Sequence, residues 1–152
     1  MNIFLKSPEE RQRAWKVLRK EIHNLSELEQ MKKVCEFWAQ APLVKFQFDW
    51  TQPSTWLTPW EMMYEGTFCR NGLAYMIEQT LILSDETVWK PERFKLVMLK
   101  DIKIEDQMFV TIIDDIYVLN YEHNNVTMLD DIKDHCIYSE KYIPEKEYHK
   151  AI

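Results

Sequence analysis

The chain opens on helical periodicity. Trp15, Leu18, Ile22 and Leu25 recur three and four residues apart, which predicts one apolar helix stripe. Ser7-Pro8-Glu9-Glu10 supplies its start: a hydroxyl to cap, a proline at the first helical position, and carboxylates on the positive end. Asn24-Leu25-Ser26-Glu27 interrupts the stripe, and Ser26 is placed to cap a second helix carrying Leu28, Met31, Cys35 and Trp38. Pro42 disfavours continuation beyond Ala41.

The pattern then changes. Val44, Phe46 and Phe48 alternate with Lys45 and Gln47, the period of a short strand or extended arm. The twelve residues from Asp49 to Trp60 hold three tryptophans and two prolines, which no regular element accommodates. Such a segment is expected to be a loop pinned by buried Trp50, Trp56 and Trp60 against a neighbouring helix. Thr58-Pro59-Trp60-Glu61 repeats the helix-start chemistry, and Gly66 is placed to end a short helix. From Thr67 onward Leu73, Met76, Ile77 and Leu81, with the small Gly72 and Ala74, predict a helix buried on most sides. Cys69 falls in its first turn.

After residue 93 the period becomes two. Residues 94–99, 107–113 and 116–121 read as strands, with Asp114-Asp115 as the turn of a hairpin. Residues 126–129 form a fourth short strand after the turn Glu122-His123-Asn124-Asn125, and 129–135 a short helix. The order of helices followed by a mainly antiparallel sheet is that of an α+β fold. The expected divisions are an N-terminal helical segment, 1–42, a core, 43–130, and a C-terminal tail, 131–152, docked on the core or on a partner.

Composition narrows what such a fold can do. Two glycines in 152 residues exclude a glycine-rich phosphate loop. A net charge of −6 leaves no basic face for a phosphate backbone, so nucleic acid is not an expected partner. No apolar run reaches the ~18 residues of a membrane span. Cys35, Cys69 and Cys136 have no CxxC spacing, which argues against a disulfide framework or a thiolate metal site. The run from Asp130 to Cys136 mixes hard and soft donors without a ligand spacing, so no metal and no cofactor is expected.

A cysteine at the head of a helix has a specific chemistry, because the helix dipole favours the thiolate. Here it is followed by strands that could present a base and its orienting partner, the order in which papain-like and transglutaminase-like folds assemble Cys, His and Asp or Asn. Residues 56–69 resemble the bacterial transglutaminase-like cysteine peptidases, in which a Trp-x-x-Pro-x-Glu segment leads into Gly-Asp-Cys. Asp106-Gln107-Met108-Phe109-Val110-Thr111-Ile112 is similar to that family's Asp-His-Ala-Val-Leu-Thr-Val strand, and Tyr117-Val118-Leu119-Asn120 to its Tyr-Val-Leu-Asp strand. The resemblance implies a central buried helix headed by Cys69, packed on an antiparallel sheet. It also implies that Cys69, Gln107 and Asn120 stand at the triad positions, on neighbouring strands facing the thiol.

The departures set the functional expectation. Thr67-Phe68 replaces Gly-Asp, and Gln107 replaces the base histidine. Asn120 can still orient an imidazole, but glutamine cannot take a proton, and general-base help is worth about 10²–10⁴-fold. His123, three residues past Asn120, is the first alternative base. The expectation is a non-catalytic, degenerate transglutaminase-like domain serving as a structural or interaction protein among other protein chains. The Trp-x-x-Pro-Trp-Glu…Cys pattern also resembles proteins of tailed bacteriophages, which implies a virion component or a place in the bacterial host cytoplasm. The alternatives are an active cysteine peptidase or acyl transferase using Cys69, and a small regulator that binds a host protein.

Overall fold

The computed structural model describes residues 2–45, 49 and 51–142, with side chains to residue 137. Helices α1 (Pro8–Glu21), α2 (Glu27–Trp38), α3 (Pro59–Glu65), α4 (Arg70–Ser84) and α5 (Leu129–Ile132) accompany five strands, β1 (Phe94–Asp101), β2 (Asp106–Ile113), β3 (Tyr117–Leu119), β4 (Val126–Met128) and β5 (Cys136–Tyr142). The strands form one antiparallel sheet in the order β4-β3-β2-β1-β5. The expected α+β architecture is present: a buried helix after Cys69 lies on an antiparallel sheet. None of the helices among the described residues is long and apolar enough to cross a membrane.

Local chemistry accounts for the helix starts. Ser7 Oγ accepts from Glu10 N–H at 3.2 Å, and Ser26 Oγ accepts from Glu29 N–H at 3.2 Å. Thr58 and Glu61 complete a reciprocal capping box. Helix α3 stops at Gly66 in the left-handed region, φ 73°. The carbonyls left open at this end are taken by the buried Arg11 guanidinium, which donates to Met63 O at 3.0 Å and Tyr64 O at 2.5 Å. The positive φ strains any side chain at residue 66, and a Cβ there, 2.6 Å from Arg11 Cζ, would also force the guanidinium to shift.

Helix α4 organises the interior. Every residue from Gly72 to Ile82 is buried. Thr80 Oγ1 accepts Trp15 Nε1–H from α1 at 2.9 Å and Trp38 Nε1–H from α2 at 3.1 Å, and donates to Met76 O. One hydroxyl thus fixes two indoles from two helices on α4. On the opposite side, Phe94, Leu96 and Met98 of β1 and Phe109 and Ile113 of β2 join the same core, while Thr111 bonds Glu78 at 3.3 Å. The alternate residues Val97, Leu99, Met108, Val110 and Ile112 build a second core on the outer face, covered by Ile132 of α5 and by Tyr121.

One expectation changes. Trp60 is 48% exposed instead of buried. The short helix α3 buries only the face carrying Pro59, Met62 and Met63, and residue 60 points away from it, its ring edge-on to Trp15. Trp50 and the alternating residues 46–48 lie outside the described residues. Residues 136–142, which carry little pattern, pair with β1 as an outer strand. Trp56 does pin its loop: it is buried against Tyr75 and Phe109, and its Nε1–H donates to Asp49 O at 2.6 Å. The hairpin turn sits at Asp114-Asp115, both at φ 56° as a type I′ turn demands.

Two substitutions test this packing. Trp56→Ala should cost about 3–5 kcal/mol, the range for a large buried aromatic; a fall in Tm of less than a few degrees would show that the loop is not pinned. Thr80→Val keeps the shape but leaves both indole N–H groups without their acceptor, at about 1–3 kcal/mol for each. Chemical denaturation should therefore show a larger loss than for an ordinary buried Thr→Val change.

Candidate active site

Cys69 is the N-cap of α4, one residue ahead of the expected first turn, with extended backbone (φ −112°, ψ 167°). Its carbonyl accepts Leu73 N–H at 3.1 Å, which starts the helical ladder. The thiol is 3% exposed and shares the main core with Phe68, Trp56 and Phe109.

The geometry of the helix head follows from an incomplete sheet edge. Strand β3 ends at Leu119, opposite Thr111, so among the described residues β2 continues toward residue 106 without a strand partner on that side. Side chains take the open groups at Phe109. Phe109 N–H donates to Asn71 Oδ1 at 3.3 Å, and Asn120 Nδ2 donates to Phe109 O at 2.9 Å. Asn120 also donates to Arg70 O at 2.9 Å, tying the strand to the first residue of α4. Arg70 reaches the same strand by an exposed ion pair with Asp106 at 3.0 Å. Asn120 holds φ 74°, a left-handed conformation that asparagine tolerates better than most residues.

Asn120, expected at a triad position, is therefore tied to the head of α4. Gln107 stands near the exposed start of β2, paired with Lys100 across the β1–β2 ladder. None of the described histidines is hydrogen-bonded to Cys69. His23 donates to the Ser84 carbonyl at the far end of α4, and His135 lies 3.9 Å from Asp101. His123 is exposed in the turn after β3 and lines a cavity of about 20 Å³ with Cys35, Leu73 and Asn120. Burial pushes the Cys35 thiol up to about 12, so it stays protonated at neutral pH. Asn71 and Arg70 were not legible as site residues, because a polar residue early in a helix has no pattern of its own.

A second polar cluster lies on the outer face of the sheet. Asp101 closes β1 and is paired in register with Cys136 of β5. Its Oδ1 accepts Lys103 N–H at 2.9 Å and Ile104 N–H at 3.4 Å, and its Oδ2 accepts the Tyr121 hydroxyl at 2.5 Å. The Tyr121 bond first, and then the backbone donors, hold the Asp101 carboxyl below its usual range. Burial, and next the Asp101 charge, raise the Cys136 thiol. The sequence gives no reason to join Asp101 and Tyr121 to the 130–136 run. Asp130 of that run instead pairs with Lys133 at the surface.

No protein-family profile matches the sequence, and no curated protein matches it. Solved structures do. Calcium-bound LapG of Legionella pneumophila is similar with a TM-score of 0.70 at 12% identity, over 97% of this chain and 90% of that one. EGTA-treated LapG from the same organism is similar with a TM-score of 0.67 at 14% identity, over 91% of this chain and 78% of that one. At such identities the likeness is one of architecture, and what it establishes is that this chain has the transglutaminase-like fold of LapG.

Proposed function

We propose that this chain is a non-catalytic transglutaminase-like domain that acts as a structural or interaction protein. The observation that carries the reading is the helix head: Cys69 is buried in the main core and makes no hydrogen bond to an imidazole among the described residues. The groups nearest in sequence to a triad are spent on structure. Asn120 and Asn71 satisfy the open edge of β2, and Gln107 offers no proton acceptor of useful basicity. A thiol without a base loses the step that would make it a nucleophile.

Interaction in place of catalysis also suits the surface. Trp60 and Tyr64 stand one turn apart on the outer face of α3, and Leu5 and Val17 are exposed on the N-terminal helices. Aromatic residues in such positions are favoured at protein interfaces. The setting we propose is a tailed-phage particle, with other protein chains as partners; the support is the Trp-x-x-Pro-Trp-Glu…Cys resemblance.

Cys69→Ser should still fold, retain the biological role, and match a parent protein that neither hydrolyses peptides nor transfers acyl groups. Iodoacetamide should modify Cys69 slowly at every pH from 6 to 8 (on the order of the rate for a buried thiol). Rapid alkylation at pH 6, or a well-folded Cys69→Ser that loses function, would restore the enzyme reading with His123 as the first candidate base. Mass spectrometry of purified particles should find the chain as a component. Its absence there, with capture of a host protein, would favour the regulator instead.

A further inference from the structure

The outer-face cluster has the composition and the geometry of a metal site. One ligand atom each from Asp101, His135 and Cys136 lies within 4.8 Å of the other two. They come from the end of β1, the turn before β5 and the first residue of β5, so the sheet register itself brings them together. Ile102 N–H donates to the His135 carbonyl at 2.8 Å, which locks the turn carrying the imidazole beside the strand carrying the carboxylate. We propose that Asp101, His135 and Cys136 form a binding site for a borderline-soft divalent ion of the zinc class, with Tyr121 holding the carboxylate ligand.

Three features favour an ion over an ordinary polar patch. The first is the donor set. One imidazole nitrogen, one thiol sulfur and one carboxylate oxygen suit zinc, whereas calcium and magnesium prefer oxygen alone. The second is burial: Asp101 is 1% and Cys136 9% exposed, yet the His135 side chain remains 23% accessible, so the cluster is sheltered and still open on one side. The third is the support of the carboxylate. Asp101 Oδ1 is fixed by two backbone N–H groups, and Oδ2, the oxygen nearest His135, is oriented by the Tyr121 hydroxyl. Such outer hydrogen bonds to a ligand are what a tuned metal site requires.

A tetrahedral ion with bonds of about 2.0–2.3 Å spaces its ligands roughly 3.5 Å apart, so no pair of the three atoms, all within 4.8 Å of one another, need close by more than about 1.3 Å. On binding, the Cys136 sulfur–hydrogen bond gives way to a sulfur–metal bond, and the proton passes to solvent. Three protein ligands leave the fourth position to water. The ion would tie the end of β1 to β5, so its binding should raise Tm with metal concentration.

Cobalt(II) makes the test specific to the sulfur. The untagged, reduced full chain titrated with cobalt chloride should bind one ion and develop a thiolate-to-cobalt charge-transfer band, which equimolar zinc then bleaches. Cys136→Ser should abolish the band, and Cys35→Ser and Cys69→Ser should keep it. Tyr121→Phe should keep the band and weaken binding by about 10–100-fold, and His135→Ala should weaken it further. The His135→Ala variant removes only a part-exposed ring, so it carries the test even if Cys136→Ser fails to fold. Absence of the band in the parent chain, its survival in Cys136→Ser, or unchanged affinity in His135→Ala would overturn the site. Because Cys69 plays no part in the band, these outcomes are independent of the catalytic status of the helix head.

Discussion

Burial of α4 on every side is the constraint from which the rest of the structure follows. A helix in that position has its own backbone satisfied, but any polar side chain it carries must find a partner inside the protein. Thr80 meets this by accepting two indole N–H groups, which fixes α1 and α2 against α4 in one step. Removing that hydroxyl leaves two donors stranded in a dry interior, where each is costly. The rings Phe4, Phe37, Trp38 and Phe68 then close around the junction at centroid separations of 5.2–5.6 Å. The N-terminal helices are therefore part of the same core as the sheet.

The same constraint shapes the head of α4. The helix has to start beside a strand edge that β3 does not reach, and an unpaired edge in a packed protein must be covered. Asn71 and Asn120 do so, one accepting and one donating at Phe109. This arrangement places the groups flanking Cys69 in structural roles.

The two faces of the sheet divide the chemistry. The inner face, against α4, carries Phe94, Leu96, Met98, Phe109 and Ile113, with the Thr111–Glu78 pair among them. Among the described residues the outer face is covered by α5 and the chain around Tyr121, and there a carboxylate, a thiol, a phenol and an imidazole meet. Thin cover allows polar groups to remain close to solvent while the strands hold them rigidly. Rigid strands are the better support for a ligand set, because they fix the donors before the ion arrives.

Much of this was legible in the chain. Ser7, Ser26, Thr58 with Glu61, and Gly66 mark helix ends, and Asp114-Asp115 marks the hairpin, because caps and tight turns depend on residues within about four positions of one another. The apolar periods at 72–82 and 94–113 likewise set α4 and the β1–β2 ladder. Trp60 was not legible, since periodicity in a seven-residue helix does not say which face the neighbours will cover. Nor was β5, whose pairing is provided by β1 rather than by its own sequence. Asn120 is tied to Arg70, and Asp101 to Tyr121 and Cys136, only when strands distant in sequence come into register. Short-range patterns fixed which segments became helices and strands, but the contacts that decide the chemistry form between residues tens of positions apart, and only the packed tertiary structure chooses those partners.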